Sequence, residues 1–390
     1  MNTRLPIIIS LAAMALGANA AEPQTGSGEI DGYRLVWQDL FDSGELKPER
    51  WNIEVNGDGG GNNELQYYTD REENVRVGDD GQGNGCLILT ARRENYQGKS
   101  FTSGRVTTKN LFAFKHGKIE AAIRFPYTPN GLWPAFWMMG NDFDQVGWPR
   151  SGEIDIVEMG HSNGFTNGVG DRFFNGACHW GQGWPNASYA KDATKSYSLQ
   201  DGEFHLFTLI WDENKISMYV DLDKMPVQTP YFQMDIPADD PGNEWSAGNY
   251  FHKENFILFN LAVGGNFPGI HNPADITALN DENSQQASMY VNYVRVYQKG
   301  NDDESIFAVI PGDKDETASM ADASVSNSRL EIRISGKNAI APGCNITAYD
   351  IAGHIVASAP DSLDLGKLSA GMYIIHATGN GRTSVIKTTI

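Results

Sequence analysis

The chain has 390 residues, with 49 acids against 30 bases and a formal net charge of -19. That excess of acids excludes a nucleic-acid binder, which carries a basic face, and disfavours sulfated polysaccharides and anionic lipid as partners. A hydrophobic fraction of 40% excludes a disordered chain, and the length suggests two units.

In chain order, Arg4 precedes an apolar run from Leu5 to Leu16, followed by Ala18-Asn19-Ala20. A positive start, a short apolar stretch and an A-x-A cleavage site predict a signal peptide over residues 1–20. The run is too short to span a bilayer. Export to the periplasm, cell surface or exterior is expected, without membrane insertion.

From Tyr33 to Tyr297 short strands alternate with Gly, Asn, Asp and Pro breaks. Gly85–Ala91, Gly117–Arg124 and Lys215–Asp221 each alternate apolar and polar residues, the period of a half-buried strand. No amphipathic pattern runs longer than two helical turns. Many strands at short spacing predict an all-β sandwich or barrel. Cys86, Cys178 and Cys344 lack metal-ligand spacing and read as buried free thiols, the alternative being one disulfide such as Cys86–Cys178. After Lys299 the composition turns acidic and small, and residues 300–328 read as a linker. A second β pattern fills 329–390, near the lower size limit for a separate module.

The chemistry concentrates in Gly152-Glu153-Ile154-Asp155-Ile156-Val157-Glu158-Met159-Gly160. On a strand, Glu153 and Asp155 share one face. Strict alternation puts Val157 there next, not Glu158. One extra residue, a β-bulge near Ile156-Val157, returns Glu158 to the face of Glu153. Clustered carboxylates repel, so one proton is held tightly by the set. Retaining glycoside hydrolysis needs this: one ionised carboxylate to attack and one protonated to release the leaving oxygen, about 5–5.5 Å apart. The bland alternative is a solvent-facing acidic edge strand. Trp133, Trp137 and Trp148 nearby favour a sugar site, because indoles stack on the C–H faces of pyranose rings. Phe136 and Met138 are expected in the core.

These blocks resemble glycoside hydrolase family 16, in its laminarinase-like branch. The resemblance spans about Tyr33 to Gln298 and rests on several ordered segments. They are Leu35–Asp39, Asn63–Thr69, Gly104–Thr108, the Trp133 and Glu153 blocks, Phe259–Gly265 and Val291–Tyr297. It implies a concanavalin-like β-jelly roll over residues 30–299, with a substrate cleft on the concave face. It implies Glu153 as nucleophile, Glu158 as general acid/base and Asp155 as the residue that hydrogen-bonds the nucleophile and tunes the pair. Trp133 and Trp137 would line the cleft, while Arg105 and Asn63 would bond sugar hydroxyls. His179 would sit on the next strand near the acid/base, and Trp180, with Trp184, would shape the leaving-group side. For His179 the rival reading is a strand residue bonded to backbone. No cofactor is required. Some relatives bind a structural calcium where this chain has Leu40 and Asn292, and losing carboxylates there weakens such a site. Residues 329–390 resemble a type IX secretion sorting domain; the rival is a small β-sandwich that binds carbohydrate.

The expected protein is a monomeric endo-β-glucanase cutting β-1,3 or mixed β-1,3/1,4 linkages, as in laminarin and lichenan. Its expected partner is a polysaccharide. Alternatives are a lectin on the same sandwich, a relative acting on a neutral galactan such as agarose, and a transglycosylase using the same acids.

Overall fold

The computed structural model describes residues 29–30, 32–128, 130–183, 187–189, 193–309, 333–335, 337–350, 355–379 and 382–389. The expected signal peptide, Trp184 and residues 310–328 lie outside them.

Two large sheets face each other. One has eleven strands and runs from Phe232–Asp235 through Lys215–Val220, His205–Trp211, Gly117–Arg124, Gln286–Gln298 and Gly85–Tyr96. The other has ten strands, ordered Ala187–Tyr189, Phe173–His179, Glu153–Met159, Leu132–Gly140, Asn255–Val263, Arg105–Thr107 and Asn52–Ile53. This is the expected jelly-roll sandwich. Alternation builds it, because each strand sends every second side chain into one shared core. Leu87, Ile119, Phe207, Ile216, Val291 and Val294 enter from one sheet; Phe136, Met138, Ile154, Phe259 and Leu261 enter from the other. The longest helix among the described residues is Ser162–Thr166. Cys86, Cys178 and Cys344 are buried free thiols.

The beginning of the expected linker is different. Glu304 accepts the backbone N–H groups of Lys299, Gly300 and Asn301, closing a turn. Ser305–Ala308 then pairs antiparallel with Phe112–Lys115, and Ile306 packs on the core. The acidic composition hid a strand of four residues, too short to show a period. The described part of 329–390 forms a separate five-stranded sheet around Ile346, Ala348, Leu363 and Ile375.

Candidate active site

The strand Glu153–Met159 carries the three acids on the face turned away from the core. Ile154, Ile156, Val157 and Met159 all enter the core and are 0% exposed. Two consecutive core residues in one strand require a bulge, and the pairing shows it. Phe136 faces Val157 while the next residue, Trp137, faces Asp155, so Ile156 is extra. On the other side the register jumps between Asp155↔Ala177 and Glu158↔Asn175. Glu158 therefore returns to the face of Glu153 and Asp155.

The neighbouring strands furnish the surroundings. Trp133 donates its indole N–H to Glu158 Oε1 at 2.9 Å. His179 lies opposite Glu153, with Nε2 3.2 Å from Asp155 Oδ2 and 3.8 Å from Glu153 Oε1. These contacts are to Asp155 and Glu153 rather than to Glu158, the acid/base beside which the resemblance placed it. Trp137 donates to Asn260 Oδ1 at 2.7 Å, and the Arg105 guanidinium lies 4.8 Å over its ring. Asn260 in turn donates to the Tyr68 hydroxyl, which donates to buried Glu64. This chain of bonds fixes the plane of the Trp137 indole. Arg105 Nε also lies 3.1 Å from Glu54. Asn63 bonds Asn266 at 3.1 Å, in the loop whose Phe267 stacks on Trp133 at 4.7 Å.

Burial and mutual repulsion dominate the electrostatics. Burial, with repulsion from Asp155, pushes Glu153 up to about 8, although His179 opposes the shift. Glu158 is raised by burial and by Asp155, against its bond from Trp133. Asp155 is raised by burial. Three such groups cannot all ionise near neutrality, so a proton stays in the set. One member can then act as an acid while another is an ionised nucleophile.

Trp180 is not brought to the acids in this way. Its ring packs edge-on against Phe251 and its N–H donates to the Trp245 carbonyl. It follows the last residue of its strand, where alternation no longer dictates direction. Asn260 and Phe267 escaped the sequence reading. Asn260 had a signal, as a lone polar residue in the apolar run Phe256–Val263; Phe267 sits in a loop and had none.

The calcium position fails on its donors. Asp39 uses both oxygens, on Phe41 N–H and on the Trp51 indole. The Asn292 amide donates its N–H to the Gly85 carbonyl at 2.9 Å. Leu40 offers no side-chain oxygen, so this set does not fit the oxygen cage a calcium ion requires.

A jelly roll with a bulged strand of paired acids and an indole on one of them defines a carbohydrate-cleaving enzyme. The model of Glycosyl hydrolases family 16 matches residues 62–242. The chain is 36% identical over 276 residues to the glucan endo-1,3-beta-glucosidase of Cryptopygus antarcticus, covering 68% of this chain and 87% of that protein. It is 34% identical over 268 residues to the clotting factor G alpha subunit of Tachypleus tridentatus, covering 68% of this chain but only 34% of that longer protein. A solved family 16 enzyme from the Bacteroides ovatus mixed-linkage glucan locus, in complex with a G4G4G3G product, is 37% identical. That likeness covers 67% of this chain and all of that one, with a TM-score of 0.58. The chain belongs to glycosyl hydrolases family 16 and is a glycoside hydrolase.

Proposed function

We propose that the chain is an exported, retaining endo-β-glucanase that hydrolyses β-1,3 or mixed β-1,3/1,4 linkages by double displacement. The observation that carries this reading is the bulge that sets Glu153, Asp155 and Glu158 on one face, with the Trp133 N–H on Glu158. A Glu153 oxygen attacks the anomeric carbon as the bond to the glycosidic oxygen breaks. Glu158 gives its proton to that oxygen, and a glycosyl ester forms on Glu153. Water then attacks the same carbon, Glu158 takes its proton, and the ester bond breaks. Two inversions restore the β configuration. Trp133 favours the ionised form of Glu158 and suits the second half. Asp155, held by His179, favours the protonated form and suits the first.

Trp133, Trp137 and Arg105 would form the platform for the sugar chain, and the acidic net charge favours a neutral glucan. No cofactor takes part. Export rests on the residues 1–20 pattern and is tested by N-terminal sequencing of secreted protein. The function is tested by incubating the protein with laminarin, mixed-linkage glucan, cellulose and agarose while following the first-formed anomer by proton NMR. Initial β-anomers of short glucan oligosaccharides support the reading. Initial α-anomers overturn retention, agarose products overturn the substrate, and binding without products overturns catalysis.

A further inference from the structure

The bulge creates a problem that the acid strand cannot solve by itself. Ile156 has no register partner on either neighbouring strand. It is 0% exposed, so bulk water does not reach its backbone. A buried carbonyl outside the ladder needs a donor, or the extra residue is expensive to keep.

The donor comes from the opposite sheet. Tyr231 directly precedes the edge strand Phe232–Asp235, and its own N–H is bonded to the Met218 carbonyl. Its side chain crosses the sandwich, and its hydroxyl donates to the Ile156 carbonyl. The ring is braced edge-on by Phe174 at 4.8 Å. The strand beside the acids makes room for it. A Cβ on Gly176 would lie 2.9 Å from the Tyr231 ring and 2.7 Å from Met218 Sδ. Gly176 stands between Asn175 and Ala177, the two residues that flank the register jump. Its missing side chain is what lets the phenol reach the bulge. Burial pushes the Tyr231 phenol far up, so it stays a neutral donor at any working pH.

We infer that Tyr231 is a positioning residue: its hydroxyl holds the bulge at Ile156 and thereby the aim of Glu158. The inference rests on Glu158 being the acid/base. Tyr231 touches no substrate. Without its bond, Ile156 and Val157 lose their reason to share the core, and a shift of one residue turns the Glu158 side chain off the acid face. Glu153 and Asp155 precede the bulge and keep their register.

The test compares two reactions of the full chain. A 2-deoxy-2-fluoro glucotrioside of 2,4-dinitrophenol loses dinitrophenolate as Glu153 forms its ester. That leaving group needs no proton, so the burst counts folded sites and its rate reads glycosylation without Glu158. Glucan hydrolysis needs the proton. In Tyr231→Phe, kcat on glucan per titrated site should fall about tenfold to a hundredfold, with the basic limb of its pH profile displaced. KM and the burst rate should stay within about twofold to threefold of wild type. A structural role alone would lower the number of sites and leave the rates per site equal. That outcome, or an equal loss in both reactions, overturns the inference. Glu158→Gln separates the premise: if it too loses both reactions equally, the acid/base assignment fails first. Should Tyr231→Phe yield no titratable sites, Tyr231→His, which keeps a ring N–H donor, must restore them; failure to do so overturns the inference.

Discussion

Two of the buried acid sites are treated in opposite ways. Asp221, at the end of Lys215–Val220, accepts from the Tyr197 hydroxyl at 2.9 Å and from the Leu206 N–H at 3.1 Å. His205 Nδ1 lies 2.8 Å away and Lys224 Nζ 3.3 Å. Burial alone would raise its pKa, but His205, Tyr197 and the Leu206 N–H outweigh that and hold it at about 2. Around Glu153, Asp155 and Glu158 donors are few and like charges are close. Burial raises all three, with Glu153 at about 8. Asp221 is saturated with donors and stays ionised. The proposed catalytic set is short of them and keeps a proton.

The contrast predicts mutants of opposite character. The largest effect belongs to the acids of the site. Glu158→Gln and Glu153→Gln should each lower kcat on glucan at least about a thousandfold, with folding unchanged by circular dichroism. Substantial residual hydrolysis in either would break the assignment. Asp221→Ala should do the reverse. It strands His205 and the Leu206 N–H, costing about 3–5 kcal/mol of stability in denaturant titration. Activity per folded molecule should hold.

The pH dependences should also diverge. Asp221 has a folded pKa below its ordinary 3.8. Its contribution is therefore present above about pH 4 and lost as the pH falls towards 2. Glu153 is raised from 4.5 to about 8. Its contribution is present below pH 4.5 and lost as the pH rises through 8. Asp155→Asn removes a charge that raises both glutamates. The basic limb of the activity profile should move down by about one pH unit, alongside a loss of rate. The smallest effect should be thermal. Glu153→Gln should raise the Tm at pH 8 by about 2–4 °C, with the gain vanishing near pH 4. A gain that grows towards acid pH would contradict the sign.

Local periodicity carried much of this in advance. The alternation of Glu153 and Asp155 with Ile154 and Ile156, broken before Glu158, demanded an extra residue, and the bulge is at Ile156. Phe136 and Met138 are in the core, as their alternation with Trp133 and Trp137 required. Ser305–Ala308, read as linker, is a strand too short for a period, and Trp180 lies beyond the end of its strand, where alternation sets no direction.

The sequence by itself determined which face of each strand is polar, because a residue's side is set by its immediate neighbours and a period of two. It therefore determined that three acids share a face. Only the tertiary structure decided what those acids meet. Trp133 on Glu158, His179 on Asp155 and Asn260 on Trp137 are contacts between neighbouring strands. Tyr231 under Ile156 comes from the opposite sheet, across 75 residues of sequence. Strand order and register are fixed by the whole core at once, and no local pattern encodes which donor will lie beside which carboxylate.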